Sequence, residues 1–330
     1  MKKMTKEKGK EIFASYFMLI VLVLTFVVFG AINKNFFNVT NILDIVRTAS
    51  IVGILGMGGS FVSSTGDTNF AVGTQATLAA AILGILMQYV PDQLYWVAIL
   101  VPILLSGLLA WCMAKLAIKL NISIYLTTLT LESVITGFAR YLTKNQVLFS
   151  SNWGKNVTLL GQTNLLGVIP VPAILFFVIA VFAHIYKEKT RAGRYNFAAG
   201  ANAITAKQVG IDVNKEKVKA MTVCGFFCGF AGVMLLSVFD NVNMTMGTYY
   251  KFPGICATVL SAAFWKIGRY NIPGSVISAI LIIAIQNGVI TIGGSFYYKE
   301  IVQGALLLIA LIIVAAIRED GLPKVSFTNE

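Results

Sequence analysis

The stretch Leu94-Tyr-Trp-Val-Ala-Ile-Leu-Val-Pro-Ile-Leu-Leu-Ser-Gly-Leu-Leu-Ala-Trp-Cys-Met-Ala114 holds no charged residue and no alternation of polar with apolar side chains. About 20 apolar residues is the length a helix needs to cross a hydrocarbon core. A barrel strand would be about half as long and would alternate. Lipid offers the backbone no hydrogen-bond partner, so a run of this kind has to close its bonds internally as a helix. Outward from this stretch lie nine more candidates. The ten spans are read at 12–32, 42–64, 71–90, 94–118, 122–142, 165–186, 219–240, 252–265, 273–292 and 300–317. Composition agrees. The chain is 57% hydrophobic and 12% charged, with a mean hydropathy of +0.79. Soluble domains carry about twice that charge. The fold expected is an all-α integral membrane protein of about ten transmembrane helices.

Charge sets the expected orientation. With the N-terminus inside, only Lys34, Arg47, Arg140, Lys144, Lys155, Lys251 and Lys299 fall at outer or span-end positions. The other 19 of the 26 basic residues then lie on inner segments. This bias predicts cytoplasmic N- and C-termini. It also accounts for the net charge of +12 without nucleic acid. Residues 1–11 read as a cytoplasmic tail, 12–317 as one membrane domain, and 318–330 as a second cytoplasmic tail. The first span is too long for a signal-peptide core and is read as retained. The largest inner loop is 187–217. Within it Asn202 precedes a helical stretch that Gly210 would stop, and Asp212 or Asn214 would cap the next helix.

Catalytic and metal motifs are missing. There is no P-loop, no Gly-x-Ser-x-Gly elbow and no His-Glu-x-x-His. Cys112, Cys224, Cys228 and Cys256 are scattered in apolar stretches and His184 is the one histidine, so no metal site is expected. Asp44 and Arg47 are spaced to pair. Glu132 lies inside a span, where a carboxylate is costly. It reads either as a functional group or as an interhelical bond. One such acid is thin support for an ion-coupled carrier.

Two stretches carry more. Gly56-Met-Gly-Gly-Ser-Phe-Val-Ser-Ser-Thr-Gly66-Asp-Thr-Asn-Phe-Ala-Val-Gly73-Thr is a small-residue span that breaks at a polar turn and restarts. Asp67, Thr68 and Asn69 are expected to satisfy the backbone freed there. Gly193-Arg-Tyr-Asn-Phe-Ala-Ala-Gly200-Ala-Asn-Ala-Ile-Thr-Ala-Lys-Gln-Val-Gly210-Ile-Asp-Val lies in the inner loop. This second stretch resembles the cytoplasmic coupling loop of ribose-type ABC sugar permeases. Gly193, Arg194, Ala198, Gly200, Asn202, Ala206, Gly210 and Ile211 fit, while Thr205 replaces a common alanine. The first stretch is similar to the same family's Gly-Gly-x-Asp-Leu-Ser-Val-Gly segment at Gly66, Val72 and Gly73, with Asn69 standing on the aspartate. Trp265-Lys-Ile-Gly-Arg-Tyr270 departs from a glycine-rich segment, which marks a divergent member.

The resemblance implies an ABC importer permease bundle in the bacterial cytoplasmic (inner) membrane, not itself an enzyme. It implies as partners ATP-binding cassette subunits, an extracytoplasmic solute-binding protein and a second permease subunit. ATP and Mg are expected on the partner ATPase, and this chain is expected to bind no cofactor. Coupling falls to Gly193, Arg194, Gly200, Asn202, Ala203, Ala206 and Gly210, with Ala206→Asp expected to uncouple. Polar residues in otherwise apolar spans are the path candidates: Asn69, Thr74, Gln75, Thr127, Thr128, Glu132, Gln286 and Asn287. Such residues offer donors and acceptors to hydroxyls. The cargo expected is a small neutral solute, foremost a monosaccharide. Nucleosides, a sugar-like signal molecule, branched-chain amino acids and a stand-alone carrier or channel are the alternatives.

Overall fold

A computed structural model describes residues 2–91, 94–149, 153, 160–165, 169–294 and 296–319. The C-terminal tail beyond residue 319 lies outside the described residues. Twelve α-helices occur among those described: α1 (Lys2–Ile32), α2 (Val39–Ser63), α3 (Val72–Tyr89), α4 (Tyr95–Lys119), α5 (Ile124–Leu142), α6 (Val171–Lys189), α7 (Arg191–Ala201), α8 (Ala203–Gln208), α9 (Val213–Phe239), α10 (Met246–Leu260), α11 (Ile272–Thr291) and α12 (Phe296–Glu319). Two short antiparallel ladders, Leu148–Phe149 with Asn241–Val242 and Asn164–Leu165 with Ile169–Pro170, tie the connections on one side.

Each predicted span overlaps a helix among the described residues. Six of them, α2, α3, α4, α6, α9 and α11, are both long and apolar enough to cross a membrane. The protein is therefore an all-α, multi-pass membrane protein. Pro102 inside α4 and Pro253 inside α10 each remove one backbone bond.

At the centre, α2 packs against α6, α9, α10 and α11, and α9 covers α3 and α4. Small residues allow this. The Thr258 hydroxyl donates to the Gly56 carbonyl at 3.0 Å, and the Ser60 and Ser275 hydroxyls share a bond of 2.7 Å. Where α3 meets α10, a Cβ on Gly73 would fall 2.3 Å from the Gly247 carbonyl oxygen. Only glycine allows backbones this close.

Two expectations are corrected. The eighth span begins at Met246, not near residue 252, and ends at Leu260. Its polar opening, Met-Gly-Thr-Tyr-Tyr-Lys, lowers the hydropathy that marks a span. Lys251, placed at an outer span end by the sequence reading, is instead well inside the helix. The 187–217 segment, read as a loop with one short helix, carries a second helix ahead of it. The short helix follows α7, which Thr190 caps by accepting the Gly193 N–H.

Candidate functional site

The segment Arg191–Gly210 forms a ledge on one end of the bundle. Asn202 ends α7 and caps α8, its side chain accepting the N–H groups of Ile204 and Thr205 at 3.0 Å each. Gly210, at φ +82°, closes α8 in the left-handed conformation that favours glycine. Asp212 then caps α9, accepting the Lys215 N–H at 3.1 Å. That bond and the Lys215 ammonium hold the Asp212 carboxyl below its ordinary range.

The ledge is keyed to the end of α2. Asn196 donates to the Phe61 carbonyl at 3.1 Å, and the Lys187 ammonium donates to the Ser60 carbonyl at 2.6 Å. Lys187 also lies 4.9 Å from the centre of the Phe61 ring. A Cβ on Gly200 would come within 2.0 Å of the Ser64 carbonyl oxygen. One on Gly193 would come within 1.8 Å of the Lys187 carbonyl oxygen. These two glycines are packing positions.

Of the other coupling candidates, Arg194, Asn202 and Ala203 are exposed. Ala206 is not. It is 3% exposed and packs with Ala199 and Val213. An aspartate there would unseat α8 as well as alter its surface. The residues α8 presents outward are Ile204 and, just past its end, Val209, 73% and 70% exposed. The sequence reading missed both. One and a half turns is too short for a periodicity to show which face is apolar.

The break between α2 and α3 follows directly. Asn69 accepts the Ala71 N–H at 3.0 Å and donates to Gln75 Oε1 at 3.1 Å. Asp67 does not satisfy the break as expected; it forms an ion pair with Lys217 of α9 at 2.8 Å. The next residue after Asn69 reaches a different group. The Phe70 N–H donates to the Thr128 hydroxyl at 3.0 Å, and its ring meets Tyr125 and Phe252 edge-on. Beside it the Lys251 ammonium bonds Glu132 at 2.8 Å and lies 5.2 Å and 5.0 Å from the ring centres of Phe70 and Phe252. Lys251 is 8% exposed.

So Asn69, Gln75, Thr128 and Glu132 come together, with Lys251, Phe70 and Phe252 unforeseen. Thr74 and Thr127 bond their own helices, to the carbonyls of Ala71 and Ser123. Gln286 and Asn287 stand apart on α11. Asn287 accepts from Thr291, whose carbonyl accepts from Asn33 near the opposite end of the bundle. The buried Gln286 Nε2 has no hydrogen-bond partner among the described residues. The signal that could have revealed Lys251 was a lone cation flanking an apolar run, opposite a lone acid in another run.

One face of α5 has a further property. Thr130, Ser133, Gly137 and Arg140 are exposed and lie on one stripe of the helix. The neighbouring exposed stripe, Val134, Phe138 and Tyr141, suits lipid. The polar stripe does not.

A family model described as "Branched-chain amino acid transport system / permease component" matches residues 41–311, which include both the break and the ledge. The chain belongs to this permease family. Among curated relatives, the permease is 26% identical over 298 residues to the ribose import permease protein RbsC of Escherichia coli K12, covering 89% of this chain and 92% of that one. It is 28% identical to RbsC of Bacillus subtilis, covering 91% of each. With the autoinducer 2 import system permease protein LsrD of Escherichia coli O9:H4 the identity is 28%, over 88% and 89%. No solved structure matches it. The family resemblance drawn from the ledge and the break thus holds, and the permease is a transport subunit.

Proposed function

We propose that this permease is the membrane subunit of an ATP-driven importer in the bacterial inner membrane, carrying a small neutral solute, foremost a monosaccharide. The observation that carries this reading is the ledge. A capped helix with exposed Ile204 and Val209 is fastened to the end of α2, the helix at the centre of the bundle. Force applied to it has a stiff route inward.

In this reading the chain crosses the membrane ten times, with both termini and the ledge on the cytoplasmic side. α5, α10, α12 and the apolar part of α1 complete the count set by the other six. α10, at 15 residues, spans about 22 Å and reaches across only part of the hydrocarbon. ATP-binding cassette subunits take the ledge helix into a groove, with ATP and Mg bound to them and none to this chain. A solute-binding protein delivers cargo from outside. A second permease subunit covers the polar stripe of α5, so that the path runs between the copies, beside Asn69, Thr128 and Glu132. Ion pairing leaves the Lys251–Glu132 site neutral overall, which suits a hydroxyl-bearing solute better than a phosphorylated one.

The test is reconstitution in liposomes with ATP-binding cassette and solute-binding proteins from the same organism. ATP-dependent uptake of ribose is expected, and Ile204→Glu with Val209→Glu should abolish it without reducing membrane insertion. Uptake driven by an ion gradient without ATP would replace this reading with a stand-alone carrier. ATP-dependent uptake of leucine or a nucleoside, but not of ribose, would keep the machinery and change the cargo.

A further inference from the structure

We propose that Lys251 and Glu132 are the latch of a gate that closes the solute path midway across the bundle, on the seam between α5 and α10. The inference rests on the path reading given above and adds a mechanism to it. α5 is carried by α3 and α4, whereas α10 is carried by α2, α3, α11 and α12. What joins α5 to α10 here is side chains. Lys251 reaches Glu132, and Phe70 stands between Tyr125 of α5 and Phe252 of α10. A seam of side chains opens by rotamer changes and a small helix displacement. Interlocked helix backbones do not.

The charges make the seam two-state. Each is costly inside a membrane segment unless it is paired or wetted. Closed, the pair supplies the partner, and the two rings face the ammonium. Open, water in the path supplies it. Intermediate separations, dry and unpaired, are the least favourable. A latch of this kind is held shut or released, with little between.

Its link to the ledge is short. Phe70 is three residues past Asp67, which Lys217 holds at the base of α9. It is six residues past Ser64, on which Gly200 of α7 rests. Displacing the ledge therefore moves the turn that carries Phe70. These contacts form a contiguous physical network with two arrangements at its end.

The experiment uses the full chain in inside-out membrane vesicles, with Cys112→Ala and a reporter Ser133→Cys on the polar stripe of α5. A membrane-impermeant methanethiosulfonate is added from the ledge side. With the native pair the reporter should react slowly. Lys251→Gln should raise its rate about tenfold or more, the scale expected when a buried ion pair is broken. The exchange of Glu132→Lys with Lys251→Glu should bring the rate back towards the native one. Phe252→Ala, which leaves both charges in place, should also raise it, and decides the matter if Lys251→Gln fails to insert. Equal rates in the native, Lys251→Gln and Phe252→Ala proteins would overturn the latch while leaving the path intact. A reporter unreactive from both sides in every variant would remove the path reading, and the latch with it.

Discussion

Two lysines are buried among the described residues, and their surroundings differ. Lys187, at the end of α6, bonds the Ser60 carbonyl and lies over Phe61. Lys251, inside α10, bonds the Glu132 carboxylate and lies between Phe70 and Phe252. A carbonyl belongs to the frame of α2 and cannot leave without unwinding it. A carboxylate on another helix leaves whenever that helix moves. The first lysine therefore ties the ledge to the core, and the second joins parts that separate. Their difference also decides what happens when either is removed. Deleting Lys187 strands no charge; deleting Lys251 strands Glu132.

The largest effect expected is at Lys251. Lys251→Met leaves the Glu132 carboxylate unpaired inside the bundle and should cost about 3 kcal/mol. Adding Glu132→Leu should recover most of that loss, because a pair of apolar side chains needs no partner. Buried Cys224 and Cys228 of α9 serve as reporters once Cys112 is replaced. Their rate of labelling during mild thermal unfolding measures the stability of the bundle around them. A double variant no more stable than the single one would mean that the charges do not depend on each other.

The next effect tests the seat of the ledge. Gly200→Ala puts a methyl group against the Ser64 carbonyl oxygen, too close for the backbone to stay where it is. Overpacking of this kind costs about 2 kcal/mol. Since Gly200 touches the turn leading to Phe70, the same variant should also speed labelling of the Ser133→Cys reporter. Destabilisation without any change at the reporter would separate the ledge from the seam. Smaller again is Lys187→Met, which keeps the apolar stem and loses one buried hydrogen bond to the Ser60 carbonyl, worth about 1 kcal/mol. A loss at Lys187 as large as that at Lys251 would erase the distinction between frame and latch.

Much of this contrast could not be read from the sequence, for physical reasons. Long apolar runs announce helices because the backbone has no other way to sit in lipid. Asn202, Gly210 and Asp212 announce the ends of α8 and α9 because caps act within four residues. Asp44 and Arg47, one turn apart, pair at 3.0 Å for the same reason of locality. Lys251 finds Glu132 across 119 residues, and no local rule links them. Its polar neighbours moved the predicted span start past it, so the cation was assigned to a surface. Ala206 is a different case. Family likeness marks it for coupling, while its side chain is turned into the small cluster beneath α8 and its neighbours Ile204 and Val209 face outward.

The smallest effect expected concerns the ledge helix itself. Asn202→Ala removes the side-chain oxygen that caps both Ile204 and Thr205, a loss of about 1 kcal/mol. The bundle should not register it, because α8 contributes little to the core, and Cys224 and Cys228 should label as in the native protein. The ledge should register it, as faster proteolysis near Lys207, which is exposed. Asn202→Asp, which retains a capping oxygen, should protect that site again. If Asn202→Ala slowed transport with no gain in proteolysis at Lys207, the asparagine would be acting on a partner and not as a cap. Faster proteolysis together with slower transport would mean that the partner needs α8 folded before it binds, so that the stiffness of six residues sets how much force reaches α2.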